Sequence, residues 1–237
     1  IPFRRSVPAC SNTPVGTFDP RQQINDLTSY IDGSVIYGSD PVTARSLRDT
    51  NGGGRLRVGF TLPGNSRPSL PVNAAGTGFV AGDFRVNQQP GLVAIQTIWM
   101  REHNRVAAGL ASLNPTWNDE RLYQEARKIV GAEIQKITYS EFLPIIMGSD
   151  VFNKLIGRYG GYDPRRDASV TNEFATAAFR VGHTFIRPNF PRLQANYVTP
   201  IPGGDQPLVF GDVIRTYKNG LGTDPLLRGL VTANARR

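Results

Sequence analysis

Two long amphipathic segments in the middle of the chain, residues 90–113 and 119–139, constrain its fold more than any other feature. Their apolar residues recur three or four positions apart, which is the spacing of one helix face. The second segment opens with acidic residues and continues with basic ones, an order that suits the helix dipole. The stretch "LNPTWND" between them breaks the pattern. The sequence therefore predicts a mainly α protein built on a pair of long helices.

Shorter elements are predicted on both sides of this pair. Residues 21–30 and 40–49 each predict a short helix, and Asp40 followed by Pro41 is a typical helix start. Residues 170–185 predict a third long helix, and "DPLLRGLV" predicts a short one with Asp224 as its N-cap. Residues 51–83 are dominated by Gly, Pro, Asn and Ser, which predicts a long surface loop. Very little β-structure is expected.

Charge and hydropathy exclude two classes of protein. The net charge of +8 is of the kind found in nucleic-acid-binding proteins. The arginines, however, occur in ones and twos without the interleaved aromatic residues of a single-strand binder, so no nucleic-acid partner is expected. The charge is better explained by a soluble face or by an acidic partner segment. No apolar run of about 18 residues supports a membrane span.

The ends of the sequence predict an incomplete fold. The first residues, "IPFRRSVPACSN", contain neither an initiator methionine nor an apolar signal core. The last residues, "LVTANARR", follow an apolar segment with no closing element. We therefore expect an internal portion of a larger domain. Cys10, the single cysteine, could be a buried thiol or one half of a disulfide to a segment outside this chain.

The stretch "FATAAFRVGHTFIRPNF" contains the first candidate site. Arg180 and His183 stand three positions apart, so they share one face of a helix. An imidazole beside a guanidinium suits a metal porphyrin, with the nitrogen on the iron and the arginine on a propionate. The alternative is a histidine that hydrogen-bonds a backbone carbonyl at the edge of a helical core, because any amphipathic helix can hold such a pair.

Two further segments, "AGDFRVNQQPGL" and "LTSYIDGSVIYGSD", contain other candidates. Arg85 precedes the first long helix and could stabilise a developing negative charge, or could be an ordinary surface arginine. Thr28, Tyr30, Asp32 and Ser34 alternate along the second segment. In an extended chain their oxygens would lie on one side, as a shell for a hard cation such as calcium. A polar helix-to-turn junction explains this pattern equally well, and one carboxylate is too few for a tight site.

These segments, together with "REHNRVAAGLASLNPTWNDERLYQEARKIVGAEIQKITYSEFLPIIMG", resemble the animal haem peroxidase family, the group of myeloperoxidase, peroxidasin and peroxinectin. The likeness runs in order across the whole chain. It implies the animal haem peroxidase fold, mainly α with long ordered loops, and a secreted or granule protein. Residues 1–237 would be the central part of one domain. Its calcium loop would span about 27–40, its distal arginine segment 81–113 and its proximal histidine helix 170–186.

The resemblance also implies a role for each candidate residue. His183 matches the proximal ligand of the iron in haem b, and Arg180 matches the arginine that meets a haem propionate. Arg85 matches the distal arginine that helps to cleave peroxide. The calcium ligands of the family are matched by Thr28, Tyr30 through its carbonyl, Asp32 and Ser34.

Two amides depart from the family pattern next to the distal arginine. Gln88 stands where the family often has a glutamate that forms an ester to the haem, and Gln89 stands where myeloperoxidase has a methionine. Gln88 is therefore expected beside the haem without a covalent bond. No histidine of this chain can be the distal base, because His103 matches a structural position that joins the two long helices. The distal histidine and the C-terminal part of the domain are expected on other segments.

The resemblance implies an enzyme that reduces hydrogen peroxide and oxidises halide, thiocyanate or phenolic donors. Such activity requires completion by other segments of the same processed precursor. The alternative is a non-enzymatic relative that serves as a structural, adhesion or carrier protein with a degenerate haem site. The missing distal histidine and Gln88 favour this alternative, whereas the joint presence of Arg85, Arg180 and His183 favours the enzyme.

Overall fold

A pair of long helices forms the centre of the structure, a computed structural model that describes residues 23–62, 67–208, 211–219 and 221–235. The α-helices of the described residues are α1 (Ser34–Tyr37), α2 (Pro41–Ser46), α3 (Pro90–Leu113), α4 (Asp119–Ile137), α5 (Leu143–Met147), α6 (Ser149–Leu155), α7 (Asn172–Thr176), α8 (Val213–Asn219) and α9 (Asp224–Thr232). Two 3₁₀ helices (Phe84–Asn87, Ala178–Phe185) and a π-helical turn (Thr138–Phe142) accompany them. Two short strands, β1 (Asn189–Phe190) and β2 (Gln206–Pro207), pair antiparallel. The predicted mainly α class with very little β-structure is confirmed.

The two long helices begin where the sequence predicts, because each has a capping side chain. The side chain of Gln89 accepts a hydrogen bond from the backbone N–H of Gly91 (2.6 Å) at the start of α3, with Pro90 in the first turn. Asn118 accepts from the backbone N–H of Arg121 (2.9 Å) at the start of α4. The helices pack against each other, and their facing apolar residues supply much of the core.

The main core cluster joins α3 and α4 to the segments on either side of them. Its buried members include Tyr37, Leu56, Leu70, Phe79, Val86, Val93, Met100, Tyr123, Val130 and Tyr217. A smaller cluster of Ala94, Phe190 and Leu226 attaches the last third of the chain to α3. In contrast, residues 132–189 contain no buried residue; the chain leaves the core in the last turns of α4, where Ile134 still packs on it, and returns through Ile186 and β1.

The described part of residues 51–83 is irregular, as the sequence predicts, but it does not lie wholly on the surface. The chain there has irregular structure with isolated bridges, yet Leu56, Leu70 and Phe79 are at most 3% exposed. The glycines serve close packing: a Cβ at Gly59 would lie 2.1 Å from the carbonyl oxygen of Leu70. A composition typical of loops therefore marks a place where backbone passes against backbone.

Two predicted helices also differ from the structure. Residues 23–30 contain no helix, because short polar side chains bond the local backbone instead, as where Tyr30 N–H donates to Thr28 Oγ1 (3.1 Å). The helix expected over 170–186 is broken at Ala177 into α7 and the 3₁₀ helix Ala178–Phe185. Residues 173–185 are all exposed, so no core packing supports a continuous helix here, and the stability of a helix depends on such packing.

Asp224 is the first residue of α9 rather than its cap, a position held by Thr223. Its carboxylate instead accepts a hydrogen bond from Nη1 of Arg101 on α3 (3.0 Å), and both side chains are mostly buried. We expect Asp224→Asn to lower the free energy of unfolding by about 2 kcal/mol, because a charged partner is lost from a shielded pair. Urea unfolding measures the change. Glu125→Gln, which breaks an exposed pair with Lys128, should cost less than about 0.5 kcal/mol, and equal losses would contradict the prediction.

Candidate functional site

Arg180 and His183 lie on the 3₁₀ helix Ala178–Phe185, where side chains three positions apart eclipse one another. The predicted pair therefore does share one face, although the helix type differs from the expectation. Both side chains are exposed. Within the described residues no hydrogen bond engages the His183 ring, and Arg180 uses only Nε, which donates to the carbonyl of Ala175 (3.1 Å). Both ring nitrogens and the terminal guanidinium N–H groups are therefore available to a ligand.

Apolar side chains surround this pair without being buried. Phe179, Val181 and Phe185 are 44–68% exposed, and the ring of Phe179 lies 5.7 Å from that of Phe174. Exposed apolar surface of this extent marks a place where a ligand or another polypeptide packs. We call residues Phe174, Phe179, Val181 and Phe185 the open apolar face.

Arg85 is held by a neighbouring carboxylate that sequence reasoning missed. Asp83, which is 4% exposed, caps the 3₁₀ helix Phe84–Asn87 by accepting from the backbone N–H of Arg85 (2.8 Å). The same carboxylate accepts from Arg85 Nε (2.9 Å), and this hydrogen bond holds the pKa of Asp83 below its usual range. The guanidinium remains about half exposed. The signal in the sequence is the Asp-x-Arg spacing immediately before a predicted helix.

The two amides that follow have different surroundings. Gln88 ends the 3₁₀ helix, where its backbone N–H donates to the carbonyl of Arg85 (2.9 Å), and its side chain is exposed. Gln89 is used as the cap of α3. The structure thus places Asp83, Arg85 and Gln88 on one short turn, with the arginine fixed by the carboxylate and the Gln88 amide facing solvent.

The predicted calcium segment, residues 27–40, is only partly extended. Gly33 adopts a left-handed conformation (φ 73°) and Ser34 begins α1, so the alternation of oxygens ends at Asp32. Asp32 Oδ1 accepts from the backbone N–H of Ser34 (2.9 Å). No cluster of three or more His, Cys, Asp or Glu side chains suited to a metal occurs among the described residues. The four predicted ligands are close in sequence but do not form a ready shell.

The arginine turn and the calcium segment lie against each other. At Gly82 an added Cβ would lie 2.2 Å from the carbonyl oxygen of Ser34 and 2.4 Å from the backbone nitrogen of Gly38, so only glycine permits this approach. In contrast, no hydrogen bond or ring contact among the described residues joins Arg85 to His183. The structure therefore groups the candidate residues into two sets, one before α3 and one on the 3₁₀ helix Ala178–Phe185.

The other histidine, His103, is fully buried on α3 and has a structural role, as the sequence predicts. Its Nε2 lies 2.8 Å from the carbonyl oxygen of Gly54, which can only accept, so Nε2 carries the hydrogen. Nδ1 then accepts from the hydroxyl of Tyr37 (2.8 Å). Burial lowers the pKa of His103 to about 4. An edge contact with the ring of Tyr123 (5.4 Å between centroids) joins α3 to α4.

We compared the sequence with models of known protein families. The sequence model described as animal haem peroxidase matches residues 1–237, the whole chain. The chain belongs to the animal haem peroxidase family. It is 47% identical to a peroxidasin homolog from Mus musculus over 96% of this chain and 16% of that protein, and 41% identical to thyroid peroxidase from Sus scrofa over 100% and 28%. It therefore spans less than a third of each of these relatives.

Solved structures agree with this membership. Peroxidase A from Dictyostelium discoideum superposes with a TM-score of 0.78 at 35% identity, over 92% of this chain and 42% of that one. A fatty acid alpha-dioxygenase from Oryza sativa superposes with a TM-score of 0.69 at 21% identity, which shows a shared fold alone. The family and the fold class predicted from the sequence are both confirmed.

In the described part of the chain, no helix is long and apolar enough to cross a membrane. Cys10 lies outside the described residues.

Proposed function

We propose that this chain is the central part of a haem-dependent peroxidase, completed by other segments of the same precursor. In that complete domain it would reduce hydrogen peroxide and oxidise halide, thiocyanate or phenolic donors. The observation that carries the proposal is the unengaged His183 imidazole beside Arg180 on the 3₁₀ helix Ala178–Phe185, next to the open apolar face. Family membership over the whole chain supports it, and it also leads us to propose a secreted or granule protein.

The residues present fit a haem b. A ring nitrogen of His183 would ligate the iron, and the free guanidinium N–H groups of Arg180 would bind a propionate by charge-assisted hydrogen bonds. Phe179 and Phe185 offer apolar surface to the macrocycle. When bound, the haem supplies the redox chemistry of the reaction. Gln88 would lie beside it without a covalent bond, since an amide cannot take the place of the esterifying carboxylate.

Arg85 would stabilise negative charge that develops on the peroxide oxygens. Asp83 prepares this role, because its buried carboxylate fixes the guanidinium before any substrate arrives. The proton acceptor must come from outside the described residues. His103 cannot serve, since it is buried, both of its nitrogens are hydrogen-bonded, and its pKa is about 4. We therefore propose that another segment supplies the distal histidine.

An absorption spectrum of the purified native protein, recorded before and after addition of hydrogen peroxide, tests the proposed function. We expect a Soret band that shifts when peroxide is added and returns when an electron donor follows. A band that ignores peroxide would instead support the second candidate function, a carrier or structural relative with a degenerate site, which Gln88 and the missing distal histidine favour. The absence of any band from the native protein would contradict the proposal.

Arg85→Gln is expected to slow the reaction with peroxide by about a hundredfold without loss of haem, because the variant removes one preorganised charge. Stopped-flow measurement of the Soret shift gives the rate constant. Arg105→Gln is the matched control, since that arginine lies on an exposed face of α3 and pairs with Glu102. If both variants reacted at the wild-type rate, the role assigned to Arg85 would be wrong.

We also propose a calcium ion bound by Thr28, the Tyr30 carbonyl, Asp32 and Ser34, with a further carboxylate from another segment. Binding requires Asp32 to exchange its hydrogen bond from Ser34 N–H for the metal. Removal of calcium with a chelator should lower the melting temperature of the native protein by about 5 °C, since the ion binds only the folded state. Calorimetry measures the shift, and calcium, but not magnesium, should restore it. An Asp32→Asn protein that still responds fully would exclude this site.

A further inference from the structure

Two pairs of adjacent basic residues occur in the described part of the chain, and their surroundings differ. Arg127 and Lys128 lie in the middle of α4, where the backbone is hydrogen-bonded as a helix. Arg165 and Arg166 lie between α6 and α7, within residues 163–169, which contain neither helix nor strand. We call residues 163–169 the paired-arginine loop. Serine proteases bind the residues around the cleaved bond in an extended form, so an exposed loop is open to them whereas a helix interior is not.

The hydrogen bonds of the paired-arginine loop are local. Arg165 Nε donates to Asp163 Oδ1 (2.9 Å), and the backbone N–H of Arg166 donates to the carbonyl of Asp163 (3.1 Å). The backbone N–H of Ser169 donates to Asp167 Oδ1 (2.9 Å). The side chains of Arg165 and Arg166 are 88% and 87% exposed, so their ion pairs with Asp163 contribute little. Extending this loop therefore breaks few bonds and no buried contact.

Charge dominates the composition of the paired-arginine loop. Four of its seven residues are charged, and none of its side chains is large and apolar. Burial of such a segment against another polypeptide would remove charges from water at a high cost. The open apolar face, by contrast, gains from being covered. We therefore expect the loop to remain in water when other segments complete the domain.

We propose that the peptide bond between Arg166 and Asp167 is a processing site for a serine endoprotease that recognises paired basic residues. The two guanidinium groups would enter acidic subsites of the protease, as arginine enters the pocket of trypsin that contains an aspartate. Hydrolysis adds one water across this bond and leaves a carboxylate on Arg166 and an amine on Asp167. The inference does not depend on haem, because it rests on the accessibility and charge of the loop.

The two chains that result would remain associated, because the contacts that hold them together do not involve the loop. Helices α8 and α9 follow the cut and both contact α3, which precedes it. Phe190 and Leu226 form a buried cluster with Ala94 of α3. Asp224 accepts a hydrogen bond from Nη1 of Arg101 on the same helix (3.0 Å). Under the proposed function, the distal arginine and the proximal histidine would then belong to different chains.

Digestion of the native protein with kexin, a serine endoprotease specific for paired basic residues, tests the site. N-terminal sequencing and mass spectrometry should find Asp167 as a new N-terminus. A synthetic peptide of residues 160–172 measures how fast the same sequence is cut without the fold. The rate in the native protein should lie within about tenfold of the peptide rate, because opening the loop costs less than about 1.4 kcal/mol.

Two variants separate this site from general susceptibility to the protease. Arg166→Gln should abolish the new N-terminus. Lys128→Gln should leave it unchanged, since that lysine lies on α4 and pairs with Glu125. The cut protein should elute from gel filtration at the volume of the intact protein and give two chains only after denaturation. Three results would each overturn the proposal: a peptide that is not cut, a native protein that resists the protease while the peptide is cut, or two chains that separate without denaturant.

Discussion

Alanine at position 183 is expected to abolish haem retention in the assembled protein. The His183 ring has no hydrogen-bond partner among the described residues and stands exposed beside Arg180, so its removal takes away the proposed iron ligand without disturbing the core. The Soret absorbance per protein, measured after gel filtration, should fall to background. Because the side chain makes no buried contact, the free energy of unfolding of the haem-free protein, measured in urea, should change by less than about 0.5 kcal/mol.

Two variants on the same segment separate ligation from general disruption of the open apolar face. Arg180→Gln should keep the Soret band but weaken haem binding by about tenfold, since one charge-assisted bond to a propionate is lost. Arg187→Gln, an exposed arginine just beyond the 3₁₀ helix, should leave the band unchanged. A normal haem spectrum in His183→Ala would exclude the ligand assignment. A spectrum lost in all three variants would show that the segment, rather than the imidazole, is responsible.

His103→Ala is expected to lower the free energy of unfolding by about 4 kcal/mol, because it opens a cavity and leaves two buried polar groups without partners. The hydroxyl of Tyr37 would lose its acceptor and the carbonyl of Gly54 would lose its donor. Urea unfolding of the same protein preparation measures the loss. His103→Gln, which keeps a donor of similar reach, should lose distinctly less. Equal losses in the two variants would argue against a role for the hydrogen bonds.

The same histidine should make stability depend on pH. Burial lowers its pKa from 6.5 to about 4 in the folded protein, so below 6.5 the unfolded state binds a proton that the folded state excludes. The contribution is complete above pH 6.5, falls as the pH drops toward 4 and is constant below that. Each pKa unit corresponds to about 1.4 kcal/mol, so the total is about 3 kcal/mol. His103→Gln should remove this part of the pH profile, and an unchanged profile would contradict the assignment.

The long helices could be predicted because their signals are local. An apolar stripe of helical spacing in each segment, the break at "LNPTWND" and the acidic opening of the second segment were enough to predict α3 and α4. The burial of Leu56, Leu70 and Phe79, which lie in the segment 51–83, could not be predicted in this way. A glycine that permits flexible turns and a glycine that permits close packing, such as Gly59, look the same in one sequence. The break at Ala177 was also hidden, since it depends on the lack of packing partners rather than on residue type.

The candidate site was predicted only in part, because some of its features follow from residue spacing and others depend on burial. Arg180 and His183 are three positions apart, and that spacing keeps them on one face in both an α-helix and a 3₁₀ helix. Asp83 was missed because its importance depends on burial, which spacing does not reveal. The oxygens of the calcium segment alternate in the sequence, but a left-handed Gly33 ends the extended geometry that their proposed role assumed.

The excursion of residues 132–189 away from the core has a consequence for the order of folding. This stretch lies between the buried Gly131 and the buried Phe190, and it contacts the core clusters only near its two ends, where Ile134 and Ile186 pack against them. Docking of β1 and α9 on α3 must therefore close a loop of about 60 residues, at an entropic cost of about 4 kcal/mol. During synthesis α3 and α4 can collapse early, whereas the last third must wait. A partner that orders residues 132–189 would lower this entropic cost and speed the docking of β1 and α9 on α3.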